Sequence, residues 1–296
     1  MKLTAINAGY FKLDGGAMFG VVPKSLWENS NRPDERNLCT WAMRCLLVEK
    51  DNRRLLIDTG MGQKQDAKFF SHYHPHGVDF LAQGLQRSGC GFDDVTDVLL
   101  THLHFDHCGG ALYRSADGSI LPRFPNATYW SSRAHWAAAT QPNERERASF
   151  LPENIRPLQE QGRLRFVEES ESGAVLPEIQ LHYVHGHTDA MMLAQIQWEE
   201  KTLLYCADLI PSAAHIPLAW LMAYDVRPLV TLEEKKYFLH EAATKRWILF
   251  FEHDPAVECC TVKETERGVR LDQKFALSEA GSFLPEAGTG AGLENF

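Results

Sequence analysis

The sequence predicts an α/β fold in which layered β-sheets carry helices on their outer faces. Three observations predict it. Apolar runs of strand length occur in clusters, helical segments punctuate those clusters, and the strict βαβα alternation of a doubly wound fold is absent. With 296 residues, 44% of them apolar and 23% charged, the chain can bury a large core without disulfides or a structural metal. Any metal is therefore expected to serve chemistry.

Residues 2–13 read as a strand, and Asp14-Gly15-Gly16 as a turn. Residues 17–27 are apolar but interrupted by Gly20 and Pro23, which suits neither a regular helix nor a regular strand. Residues 29–37 are polar and loop-like. Residues 40–49 and 53–58 form a hairpin across Lys50-Asp51-Asn52. Residues 80–88 have helical periodicity, and 98–100 form a short buried strand. A helix is expected over 133–139, and another over 143–161, broken by Pro152 and Pro157. Strands follow at 164–168, 179–184, 191–198 and 202–207, then an amphipathic helix over 232–244 and a buried strand over 247–252. A last pair of strands is expected after Asp254. The pattern reads as one domain over 1–281, with a frayed Gly/Ala-rich tail over 282–296.

The formal net charge is -9 and no Lys/Arg-rich run occurs. Such a surface repels phosphate backbones, which argues against a nucleic-acid partner and for a small-molecule substrate. The seven cysteines include no CxxC pair, and Cys259 and Cys260 are adjacent. They read as free thiols in a reducing compartment. No signal-peptide pattern opens the chain, and no apolar run reaches the roughly 18 residues that span a bilayer. A cytoplasmic protein without membrane contact is expected.

The chemistry is concentrated in Thr101-His102-Leu103-His104-Phe105-Asp106-His107, which follows an apolar strand. Residues two apart in an extended segment point the same way, so His102 and His104 face one metal together. The turn at Asp106 directs Asp106 and His107 toward a second. Imidazole and carboxylate ligands suit zinc, and also iron, manganese or cobalt. A merely solvated histidine-rich loop is disfavoured by the strand-end placement and by the Cys108-Gly109-Gly110 turn. His187, Asp208 and His253 each follow an apolar strand and complete a ligand set.

This order of residues resembles the metallo-β-lactamase superfamily. The resemblance implies an αββα sandwich of two mixed sheets flanked by helices. It implies two divalent metals, one on His102, His104 and His187, the other on Asp106, His107 and His253, with Asp208 bridging. Asp58, in Leu55-Leu56-Ile57-Asp58-Thr59-Gly60, corresponds to a residue that braces the metal loop and does not ligate. Residues 14–24, Ala207-Asp208-Leu209-Ile210-Pro211, His215, Met222-Ala223-Tyr224-Asp225 and Phe251-Glu252-His253-Asp254 resemble the quorum-quenching N-acyl homoserine lactone lactonase branch. His187-Thr188-Asp189-Ala190-Met191 departs from the Gly-His that relatives often carry after this ligand, which leaves substrate choice open.

The resemblance implies a lactonase that opens N-acyl homoserine lactones, a small-molecule substrate, by attack of metal-bound hydroxide; Asp106, beside the bridging water, is the candidate proton shuttle for the departing alkoxide. Met18, Phe19, Trp27, His215 and Tyr224 are candidate substrate contacts, although Met18, Phe19 and Trp27 equally suit packing between the subunits of a homodimer. His72, His74 and His76 read as a mobile loop near the site mouth rather than a metal site, because no carboxylate or apolar strand frames them. An arylesterase, thioesterase or phosphotriesterase competes on the same scaffold, as does a non-catalytic metal-dependent binding protein. A diiron reductase is disfavoured because position 104 is His and no flavin-binding domain is evident. No Gly-x-Ser-x-Gly elbow points to a serine hydrolase.

Overall fold

A computed structural model describes residues 1–77, 79–171, 173 and 175–282. The expected tail from position 282 onward therefore lies, beyond its first residue, outside the described residues. Six strands form the first sheet in chain order: β1 (Lys2–Asp14), β2 (Leu38–Lys50), β3 (Arg53–Ile57), β4 (Asp97–Leu99), β5 (Thr128–Ser132) and β6 (Leu164–Val167). Six more form the second: β7 (Ile179–Val184), β8 (Met191–Trp198), β9 (Lys201–Tyr205), β10 (Ile248–Phe250), β11 (Cys259–Lys263) and β12 (Arg270–Phe275). Both sheets are mixed. The long β1–β2 and β2–β3 pairs are antiparallel, whereas β3–β4, β4–β5 and β9–β10 are parallel.

Strand periodicity explains the layering. On β2, Leu46 and Val48 join the core between the sheets, whereas Cys45 and Leu47 face the opposite way. On β3, Leu55 and Ile57 point inward and Leu56 outward. Successive side chains of a strand point to opposite faces, so a strand apolar on both must be covered on both. The inner core adds Leu181, Met191, Leu193 and Phe250 from the second sheet. Leu81 and Leu85 of the helix Phe80–Arg87, and Ile155 and Leu158 of the helix Pro152–Glu160, cover the first sheet. Phe238, Leu239 and Ala242 of the helix Pro228–Lys245 cover the second. The architecture is the expected αββα sandwich.

Local chemistry modifies several expected elements. Asp14 does not close a turn: its Oδ1 accepts the Ala17 amide at 2.8 Å and caps a short helix, Gly15–Phe19. Gly20 then takes φ 58, and a second short helix, Lys24–Trp27, follows Pro23. Residues 143–151 are not helical. Pro152 starts a helix instead of breaking one, because a first-turn residue has no intrahelical use for its N–H. His72 lies in the last turn of a helix, Ala67–Tyr73, and His76 pairs with Tyr10 through reciprocal backbone hydrogen bonds of 2.8 and 2.9 Å. The three-histidine segment is therefore tied to β1.

Glycines after the histidine-rich segment allow a close backbone approach. A Cβ on Gly110 would lie 2.0 Å from the Thr59 carbonyl oxygen, and one on Gly109 would lie 2.1 Å from that of Met61. Gly110 also donates its amide to the Gly60 carbonyl at 2.7 Å. Backbone cannot move aside as a side chain tip can. Gly110→Ala should lower the unfolding free energy by about 1–3 kcal/mol in denaturant melts; an unchanged midpoint would show that the two loops yield.

Candidate metal centre

The chain turns of both sheets bring the site together. Asp58 follows β3, the His102–His107 segment follows β4, Asp208 follows β9 and His253 follows β10, all at the C-terminal ends of parallel strands. His187 sits in the turn between β7 and β8. Asp58, Ala190 and Ala207, beside these residues, hold positive φ of 57, 54 and 42. Non-glycine residues carry such strain where the surroundings fix the backbone, and such residues cluster at functional sites.

Seven sequence-predicted residues converge. His102, His104, His187 and Asp208 form one group with ligand atoms within 4.8 Å of one another, and Asp106, His107 and His253 form another. Asp208 spans them. Its Oδ2 lies 3.1 Å from His187 Nε2, 3.8 Å from His102 Nε2 and 3.5 Å from His107 Nε2, and its Oδ1 lies 3.0 Å from His253 Nε2. Asp106 Oδ2 lies 3.7 Å from both His107 Nε2 and His253 Nε2.

The outer contacts determine which nitrogen of each neutral ring faces inward. Asp225 Oδ1 lies 3.0 Å from His187 Nδ1, Glu252 Oε2 lies 3.0 Å from His107 Nδ1, and the Ala42 carbonyl lies 2.8 Å from His253 Nδ1. All three are acceptors, so each Nδ1 carries the hydrogen and each Nε2 presents a lone pair. Thr101 Oγ1 donates to Asp58 Oδ2 at 2.7 Å and so accepts from His102 Nδ1 at 3.1 Å. Two of these lone pairs then face each other, His253 Nε2 lying 3.2 Å from His107 Nε2, and His187 Nε2 lies 3.2 Å from His104 Nδ1. His102 Nε2 and Asp208 Oδ1 are buried without a hydrogen-bond partner. Buried acceptors facing one another fit divalent cations between them.

Protons are the alternative occupants. Burial depresses His187, but Asp208 and Asp225 beside it outweigh this and hold it up at about 10. Burial also depresses His253, yet Asp208 raises it to about 9. His102 and His104 are pushed well below the ordinary histidine range, first by burial and then by neighbouring imidazoles.

Asp58 lies against the histidine-rich segment. Its Oδ1 accepts the Thr101 amide at 2.8 Å, and its Oδ2 lies 3.3 Å from His107 Nδ1. Sequence reasoning gave no role to Asp225, Glu252 or His135. Both acids have a visible signal, since Asp225 and Glu252 stand in two of the stretches that carry the resemblance and Glu252 also ends the apolar run 248–251. His135 accepts the Leu103 amide on Nε2 at 2.8 Å and donates from Nδ1 to the Asp189 carbonyl, so it holds the metal loop as a neutral ring, pushed down to about 4 by burial.

A cavity of ≈ 290 Å³ opens onto this cluster, with His104, Asp106, His187, Asp208 and His253 on one wall. Leu13, Met18, Tyr73, Phe105, Met222 and Tyr224 supply most of the rest, and Arg145 and Glu146 add a polar edge. Of the candidate substrate contacts, Met18 and Tyr224 line the cavity. Phe19, Trp27 and His215 do not. Phe19 stacks between His215 at 4.7 Å and Trp27 at 5.2 Å, and His215 Nε2 donates to the Met18 carbonyl at 2.8 Å. All three are buried behind the wall and shape it from there.

Because the protonated and metal-bound forms compete for the same lone pairs, metal uptake by the apoprotein should release protons. The raised values of His187 and His253 give the sign: affinity falls as pH falls, since protons then occupy the ligand nitrogens. Calorimetric titration with Zn²⁺ in buffers of different ionisation enthalpy reads this directly; heats independent of buffer would contradict it. Asp225→Asn, which loses the charge holding His187, should weaken metal binding by about 10–100-fold.

Comparisons place this geometry among known proteins. A model of the metallo-beta-lactamase superfamily matches residues 44–260. An N-acyl homoserine lactonase of Bacillus thuringiensis is 25% identical over 233 residues, which is 74% of this chain and 82% of that protein. A probable metal-dependent hydrolase from Staphylococcus aureus is 26% identical, with a TM-score of 0.83 over 93% of this chain and 96% of that one. A dizinc quorum-quenching lactonase in complex with a product, N-hexanoyl-L-homoserine, shares the fold at 22% identity, with a TM-score of 0.75 over 93% and 97% of the two chains. The chain belongs to the metallo-β-lactamase superfamily, as a metal-dependent hydrolase that has N-acyl homoserine lactonases among its relatives.

Proposed function

We propose that this hydrolase opens the ring of N-acyl homoserine lactones, with two zinc ions as its metals. One observation carries the reading: a single small cavity has the His/Asp cluster on one wall and apolar side chains on the other. A polar head that must be hydrolysed and an apolar tail that must be housed match those two walls. The named relatives support the same substrate class.

Two divalent cations, when bound, supply a Lewis acid for a carbonyl and a water that ionises near neutral pH. His102, His104, His187 and Asp208 would hold one; Asp106, His107 and His253, with Asp208, the other. The remaining work falls to side chains. Leu13, Met18 and Met222 exclude water from the acyl chain. Tyr224, which lines the cavity, would donate its hydroxyl to the substrate carbonyl. Water adds to that carbonyl and loses a proton, and the ring C–O bond breaks. The departing alkoxide needs one proton, which the Asp106 carboxylate would take from the water and return. Arg145 donates to the Ala223 carbonyl, and to that of Asp225 at 3.2 Å, so it ties the Tyr224 wall to the opposite edge.

The aromatic faces of Tyr73, Phe105 and Tyr224 favour a second reading, an aryl esterase. A panel of short- and long-chain homoserine lactones, a simple lactone, an aryl ester, a thioester and a phosphotriester separates them. Chelator-sensitive turnover highest on the acyl homoserine lactones is expected, and none on them by metal-loaded protein would overturn the assignment. Asp106→Asn should lower turnover about 10²–10⁴-fold while retaining most of its metal. A parallel loss of metal and turnover would make Asp106 a ligand only.

A further inference from the structure

A second cavity, of ≈ 520 Å³, lies between the first strand, the helix Phe80–Arg87 and residues 255–258. It shares no lining residue with the catalytic cavity. Its walls carry Lys2, Arg44 and Arg87 against one carboxylate, Glu258, on a chain of net charge -9. Arg44 is 5% exposed. Its Nη1 donates to the Phe251 carbonyl at 2.7 Å and reaches that of Val257 at 3.4 Å. Among the described residues no carboxylate lies within ion-pair distance of Arg44, and its Nε and Nη2 donate to no protein group. Buried arginine is ordinarily paired, because a desolvated charge is costly alone. Arg87 also makes no ion pair among the described residues. Lys2 is partly neutralised by Glu49 at 2.7 Å, and Glu258 accepts the Leu277 amide at 2.8 Å.

We propose that this cleft binds a small oxyanion of the phosphate type, through the open edge of the Arg44 guanidinium and the Arg87 side chain. Planar N–H donors in a fixed fork suit tetrahedral oxyanions. Thr4 and Asn7 line the same walls, and Asn7, whose Oδ1 accepts the Gly9 amide at 2.8 Å, keeps its NH2 group as a donor. The site faces the back of the metal centre. Arg44 grips the carbonyls of Phe251 and Val257, on either side of His253, and its own amide donates to the Glu252 carbonyl at 3.0 Å. An anion on Arg44 therefore bears on the segment that carries one ligand and the acceptor of another.

The test is calorimetric titration of metal-loaded protein with inorganic phosphate at constant ionic strength. Saturable binding is expected, weakened at least tenfold by Arg87→Glu, while metal content and hydrolytic turnover without phosphate stay at the parent level. Arg44→Met is the second variant and should abolish the same heat. Glycerol phosphate, titrated in parallel, separates sources: tighter binding assigns the site to a phosphorylated metabolite, and equal binding to free phosphate. Absence of saturable binding, or binding undiminished in Arg87→Glu and so located at the metals, would overturn the proposal.

Discussion

Electrostatic frustration at Asp208 organises the molecule. Imidazole lone pairs and two carboxylates point into one buried space, and among the described residues no Lys or Arg ion pair reaches them. Such an arrangement is tolerable only if cations or protons stand between the groups. The surrounding structure resists any other relief. Asp225, Glu252 and the Ala42 carbonyl hold the ring tautomers from behind, and positive φ at Asp58, Ala190 and Ala207 sets the backbone that presents them. Rigid sheet ends on both sides keep the groups from moving apart.

The sandwich serves that constraint. Each sheet delivers ligands from the C-terminal ends of parallel strands, so two separately assembled layers must register for Asp208 and His253 to meet His102 and His107. Tyr205 contributes to the registration. Its hydroxyl lies 3.0 Å from the Arg44 carbonyl and 2.8 Å from Glu252 Oε2, which joins the second sheet to the first directly under the metal loop. Arg44 does the same through Phe251. Packing between the sheets and polar contacts beneath the site are thus one device.

Much of this was legible in the chain. Apolar runs of strand length marked most strands, and ligands spaced as His102, His104, Asp106 and His107, followed by His187, Asp208 and His253, marked the cluster. What escaped depends on three-dimensional neighbours. Asp225 is an ordinary loop acid until the fold places it behind His187, and His135 is an ordinary helix residue until the Leu103 amide reaches it. Phe19 and Trp27, in an apolar segment, and His215, which follows Asp208 in the stretch that carries the resemblance, read as pocket residues. Whether an aromatic side chain faces a cavity or its rear wall is set by stacking geometry, which hydropathy does not encode. Pro152 misled for a related reason, since the same residue breaks a helix interior and begins a helix.

Two cations held by the seven side chains would share Asp208. Anomalous diffraction from crystals of the zinc-loaded protein, collected on either side of the zinc edge, tests it most directly. The account predicts two peaks, each about 2.0–2.2 Å from a carboxylate oxygen of Asp208, one surrounded by His102, His104 and His187 and the other by Asp106, His107 and His253. A single peak, or peaks away from Asp208, would contradict it.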